Sequence, residues 1–391
     1  MSSGWPAPLA HGFADAGAYP LPMPALLAGA AALLLAATAL PARRPSAVPA
    51  LADDPAGAAV TAMRALALVM VVLIAVPAAL GDLDIARNPA PQLLFTVGWA
   101  GLLLTSALLG GWWRAASPLR WAAGDPGRTP APAGVGVWPA VATLVAFSVA
   151  EQLATPTALL VIVVVAVYVV GGVGIGLAKG PAWIGAADPL EVASRTLGAM
   201  SPLARADDGG VTWRSPRAAT SAAAVVPGLP AFLGALIGVN LFDAYAGHGA
   251  DAPWVFAVAV VGGAVAVTAA ARPAALAVAF IGPAVGHVAA HYLAPLLIDG
   301  QVAVLQLSDP FGLDWNLLGL TGRDIVAQPV APVLGMTLQL LFLVAGHVVG
   351  MAVAGDVAAS GRTARAARAV AFPTRALLVA SLVAGIYLRL G

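Results

Sequence analysis

Two histidines, His287 and His291, stand four residues apart in "GPAVGHVAAHYLAPLLID", residues 282–299, a stretch otherwise built for a lipid interior. On a helix that spacing projects both imidazoles from one face. Imidazole nitrogens bind metal ions at about 2.0–2.1 Å, so an H-x-x-x-H pair can chelate one ion. The plainer use is a pair of helix–helix hydrogen bonds that lock packing. The other ionisable residues bear on the choice. Asp243 lies in "VNLFDAYAGHG" with His248 just beyond, Glu151 in "FSVAEQLATP", and His11 in "AHGFADAGAYPLPMP". Four histidines and two carboxylates suit zinc, copper or another imidazole-preferring ion, or the handling of protons. His347, in "FLVAGHVVGMAVAGD", is the remaining histidine. Facing His287 across a helix pair it could complete a bis-histidine haem site; a hydrogen-bonded packing histidine is the alternative.

Whatever positions these groups has to be membrane-embedded. Of 391 residues 60% are hydrophobic and 9% charged, and the mean hydropathy is +0.91. Soluble domains carry about 25% charged residues. Cysteine is absent, which excludes disulfides, thiolate metal sites, iron–sulfur clusters and cysteine nucleophiles in this chain. A formal net charge of +1 gives no reason to expect a nucleic-acid partner. Residues 1–20 lack the basic and apolar regions of a cleavable signal, so the first membrane helix is expected to start insertion.

A spanning helix needs roughly 20 mostly apolar residues. Ten stretches qualify, near 22–41, 61–81, 91–111, 135–154, 157–178, 221–246, 253–271, 273–298, 331–354 and 372–389. Basic residues accumulate in loops kept in the cytoplasm. With ten spans, sixteen of the nineteen Lys and Arg fall on one side, leaving Arg87, Arg323 and Arg389 on the other. The expected fold is therefore a single all-α, polytopic membrane helix bundle over residues 1–391, with ten transmembrane helices and both termini extracytoplasmic. Glu151, Asp243, His248, His287, His291 and His11 then share its outer half. Segment 299–330, with "LQLSDPFGLDWNLLGLTGRD", reads as a re-entrant or interfacial cap over the outer mouth. Segment 179–220 reads as a cytoplasmic loop with an ordinary amphipathic surface character. "GGVGIG" at 171–176 sits inside an apolar span with no strand before it, so small-residue helix packing explains it better than a dinucleotide loop. Trp112, Trp113 and Trp121 fall where an interfacial aromatic belt belongs.

Several stretches together resemble a family. They are "HGFADAGAYPLPMP", "RNPAPQLLFTVGWAGLLLTSALLGGWW", "WPAVATLVAFSVAEQLATP", "GVNLFDAY", "GHVAAHYLAPLLIDGQ", "LSDPFGLDWNLLG" and "AGHVVGMAVAGD". The chain resembles the bacterial polytopic membrane proteins labelled fenitrothion hydrolase, or its membrane subunit. The resemblance implies a bacterial cytoplasmic membrane, hydrolysis of organophosphate esters, partner subunits, and functional positions at His11, Glu151, Asp243, His287, His291, Asp309 and His347. Gly355 stands before Asp356 where that family carries a histidine.

Three functions follow as expectations. In a metal-dependent hydrolase opening outward, His287 and His291 would be ligands, with Asp243 or His11 completing the shell. The ion would lower the pKa of a bound water and polarise a phosphoryl oxygen. Glu151 would be the general base, Asp243 its neighbour at the reacting centre, and Asp309 and Trp315 would shape entry of an apolar ester. A transporter of a metal ion or small solute would use the same groups for binding and proton coupling. An anchor subunit of a redox complex would hold haem between His287 and His347.

Overall fold

The computed structural model describes residues 19–53, 57–84, 86–124, 132, 134–153, 157–206, 208–246, 252–320 and 322–390. His11 and His248 lie outside the described residues. Met23–Thr38 (α1) and Ala58–Leu80 (α2) come first. A π-helical stretch, Gln92–Gly98, runs directly into Trp99–Leu109 (α3), and two short helices follow, Trp113–Ala116 (α4) and Pro118–Ala122 (α5). Trp138–Leu153 (α6) and Ala158–Lys179 (α7) precede Ile184–Ala187 (α8) and Pro189–Gly198 (α9). A small antiparallel hairpin joins Leu203–Arg205 (β1) to Val211–Trp213 (β2), with Ala204 opposite Thr212. After Pro216–Ser221 (α10) come Leu229–Ala246 (α11) and Pro253–Ala270 (α12). A 3-10 segment, Ala274–Phe280, leads into Ile281–Gln306 (α13), and Pro332–Ala359 (α14) and Ala364–Leu390 (α15) complete the chain.

Among the described residues eight helical segments are long and apolar enough to cross a membrane. The chain is a multi-pass all-α membrane protein. Helices α1 and α6, at 16 residues each, fall on the two other expected stretches. The boundaries differ where local chemistry differs. Helix α11 starts at Leu229 rather than 221, because the residue before Pro227 is biased out of the helical region. Helix α13 runs on to Gln306, and Gln301 there bonds the Leu297 carbonyl oxygen one turn back.

Helices α11 and α13 form the centre, and α2, α7 and α12 turn most of their apolar surface outward. Lipid tails are as apolar as leucine side chains, so burial alone gives helices no reason to associate; close van der Waals approach does. The α13–α14 contact shows how. A methyl group on Gly346 would collide with the Gly282 carbonyl oxygen, and one on Gly286 would stand 2.7 Å from the Phe342 oxygen. Glycine at these positions brings the two backbones together. In the 171–176 stretch, Gly172 and Gly176 lie against Leu119 and Ile184.

Segment 179–220 divides: the β2 strand is exposed, but the helix before the hairpin is not a surface element. Helix α9 is buried along nearly its whole length, including Glu191 and Ser194 at 0% exposure. Its polar residues have partners from other elements. Arg120 forms a two-pronged ion pair with Glu191, at 2.6 and 2.7 Å, and Ser106 and Ser194 share a hydrogen bond of 2.8 Å. Asp188 caps the helix, accepting from the Leu190 amide at 2.9 Å, with Pro189 in the first turn. The amphipathic pattern is real, but its polar face meets protein instead of water.

Candidate functional site

Asp243, Glu151 and Arg389 occupy the last turns of α11, α6 and α15, so three helix ends bring them to one end of the bundle. Helix α11 is apolar on every side, as a helix buried on every side must be, and it carries Asp243 inward to 2% exposure. Its neighbour α13 presents His291, also 2% exposed, with Nε2 3.4 Å from Asp243 Oδ2. Glu151, half-buried, lies beside the Tyr292 phenol and within electrostatic range of Asp243. Trp99, just past the π-helical stretch, reaches the same phenol. Arg389 acts on both Asp243 and Tyr292, and its Nη2 donates to the Asn240 carbonyl oxygen at 3.2 Å. The Gln152 amide stands beside Asp243. Among the described residues neither Asp243 oxygen has a hydrogen-bond partner of good geometry; His291 Nε2 makes an ion-pair contact at 3.4 Å, and the Gln152 amide lies nearby.

One turn away on α13, His287 turns to a different neighbour. It is fully buried with its ring edge-on to His347, centroids 5.3 Å apart at 72°. Among the described residues neither His287 nitrogen has a hydrogen-bond partner. His347 is held at both nitrogens: Nδ1 meets the Leu343 carbonyl oxygen at 2.7 Å and Nε2 the Ser381 hydroxyl at 2.8 Å. Because a carbonyl can only accept, Nδ1 carries the proton, and the single Ser381 hydroxyl hydrogen is shared between Nε2 and the Leu378 carbonyl oxygen, 3.1 Å away.

His291 contacts Asp243, and His287 packs edge-on against His347. Among the described residues no three His, Asp or Glu side chains are grouped to hold a metal ion. A shell completed by His11 lies outside the described residues. Haem does not fit between His287 and His347 as they stand: Nε2 of His347 is engaged by Ser381, and α15 closes on His287, where a methyl on Gly385 would be 2.7 Å from Cε1.

Asp309 and Trp315 belong elsewhere. The Asp309 carboxylate closes its own turn, accepting from the Leu313 and Asp314 amides at 2.9 Å each, and Trp315 packs edge-on against Phe311. Among the described residues no recorded bond or ring contact joins either to Asp243, His291 or Glu151. Beyond Gln306 the expected cap forms turns rather than a helix, tied to the 81–88 loop by Arg87 Nη2 donating to the Gly312 oxygen at 3.0 Å. Asp356 lies at the far end of α14 from the cluster. Arg217 grips it with two bonds of 2.6 and 2.8 Å, and Ser221 and the Arg43 amide add two more.

Sequence reasoning passed over Tyr292 and Arg389. Tyr292 adjoins His291 and Arg389 interrupts an apolar helix, so both carried a signal; the partner that gives each its meaning is distant in sequence. Comparison with family models, curated proteins and solved structures finds no match, so the cluster is read from its own geometry.

Proposed function

We propose that this chain is a ten-span protein of a bacterial cytoplasmic membrane, both termini extracytoplasmic, that transports a cation or small solute coupled to proton movement through the Glu151–Tyr292–Asp243–His291–Arg389 cluster. Helices α1 and α6 added to the eight longer spans, with basic residues concentrated in alternate loops, support that topology. The exposed Leu313, Trp315, Leu317 and Leu318 of the 307–331 turns suit an interfacial cap.

The observation that carries the proposal is Asp243, a carboxylate buried among spanning helices with both oxygens free of good hydrogen bonds, 3.4 Å from an imidazole and within range of an arginine. Ionisable groups inside spanning segments are costly and generally mark ion or proton pathways. Asp243 and His291 can exchange a proton with little motion. Arg389 places a positive charge beside the pair, and the Tyr292 phenol stands next to Glu151 within electrostatic range of Asp243.

The metal-dependent hydrolase implied by resemblance is the second reading. What favours it is the half-buried Glu151, better placed than Asp243 to meet water as a general base. Reconstitution separates the two. Proteoliposomes holding a pH-reporting dye should show solute- or cation-driven proton flux, lost in Asp243→Asn with the protein still folded. Absence of flux with zinc or copper bound stoichiometrically would replace transport with hydrolysis.

A further inference from the structure

A cavity of about 730 Å³ lies between α2 and α7 on one side and α3 and α6 on the other. Met70, Ile74, Leu102, Phe147 and Val164 give it apolar walls. Its two outer helices expose Leu68, Val69, Val163 and Val170 on their other faces, so the chamber adjoins the bilayer. Small-molecule sites span roughly 300–1,000 Å³ and combine apolar walls with a few convergent polar groups.

Polar groups are gathered at one end. Tyr168 donates to Asp188 Oδ2 at 3.1 Å and the Trp113 indole to the same oxygen at 3.2 Å, while Oδ1 takes the Leu190 amide. Each of these donors has given its proton, so with Asp188 ionised what the phenol and carboxylate can still offer is acceptor lone pairs. This end calls for a ligand that donates. Behind it, Glu191 is matched by Arg120, and Arg195 and Arg114 add positive charge, which disfavours a cationic head. The Asp188 carboxylate disfavours an anionic one. A neutral hydroxyl satisfies both conditions.

We propose that this cavity binds a single-chain membrane amphiphile, its hydrocarbon between α2, α3, α6 and α7 and its hydroxyl head against Tyr168 and Asp188. The inference is independent of the transport reading. Trp99, Trp112 and Trp113 line the cavity and report on it. A methyl group on Gly101, another lining residue, would meet nothing within 4 Å, so a larger side chain can enter there without moving the backbone.

The test is tryptophan quenching of the full chain in nanodiscs by a terminally brominated dodecanol. Saturable quenching is expected. It should weaken about tenfold or more in Gly101→Phe and, separately, in Ala146→Phe, the equivalent of about 1.4 kcal/mol. Bromododecane, without the hydroxyl, should bind several-fold more weakly, as should the alcohol to Tyr168→Phe. Quenching unchanged in a filled variant that keeps its thermal transition would overturn the site, and two variants on different helices guard against one misfolding. Equal binding of alcohol and alkane would overturn the assignment of the head.

Discussion

His291 Nε2 stands 3.4 Å from Asp243 Oδ2, and both side chains are withdrawn from the surface to 2% exposure. The pair bridges α11 and α13, the two central helices, with Glu151, Tyr292 and Arg389 nearby. A proton moved between these atoms would convert a buried ion pair into a neutral one. The packing role and the proposed proton-transfer role are separable by substitution.

Tyr292→Phe keeps the ring and removes only the hydroxyl that stands beside Glu151 and Trp99. A typical hydrogen bond contributes about 1 kcal/mol net, so the thermal midpoint should move little. Proton flux in proteoliposomes should fall several-fold. Unchanged flux would remove Tyr292 and Glu151 from the pathway.

His287→Leu should stabilise the protein and leave proton flux intact, because His287 lies outside the proposed cluster. Two buried nitrogens that have no hydrogen-bond partner among the described residues are replaced by apolar surface of similar bulk, a change that mutational series find neutral or favourable. A higher midpoint in detergent together with full flux is the expected pair of results. A higher midpoint with flux lost would place His287 in the proton pathway.

Arg217→Leu leaves the Asp356 carboxylate, which has 0% side-chain exposure, without its cation. Breaking a buried pair from one side typically costs about 3–5 kcal/mol. A large drop in thermal midpoint is expected, with much of it restored in the double variant Arg217→Leu, Asp356→Leu. If the double variant is as unstable as the sum of the singles, the pair is not the origin of the loss.

Asp188 gives stability a pH dependence. Burial first, then the neighbouring Glu191 carboxylate, raises its pKa from 3.8 to about 7, against the hydrogen bonds from Tyr168 and Trp113. Between those values the folded state holds a proton that the unfolded state has released, so this group's contribution to stability falls as pH rises from about 4 to about 7 and is level above. Asp188→Asn, which cannot ionise, should flatten the midpoint-against-pH curve across that interval. A curve of unchanged slope would mean another group titrates there.

The residue string was enough to establish a lipid solvent and helices within it. Sixty percent hydrophobic residues with so few charges cannot be covered in water, and a chain in hydrocarbon must satisfy its backbone internally, which a helix does with local bonds alone. The positions of the eight long apolar helices among the described residues followed from local hydropathy for the same reason, as did the rarity of Asp243 and His291 inside them. What local pattern could not supply was company. The Arg120–Glu191 pair spans 71 residues, so α9 read as a solvated loop until its partners surrounded it. Asp243 with Arg389, and His287 with His347 rather than His291, depend on which helix faces which, and that was decided by close backbone approaches such as Gly282 against Gly346. Packing between distant segments chooses the neighbours of a buried charge, and those neighbours determine whether it binds, relays or merely holds.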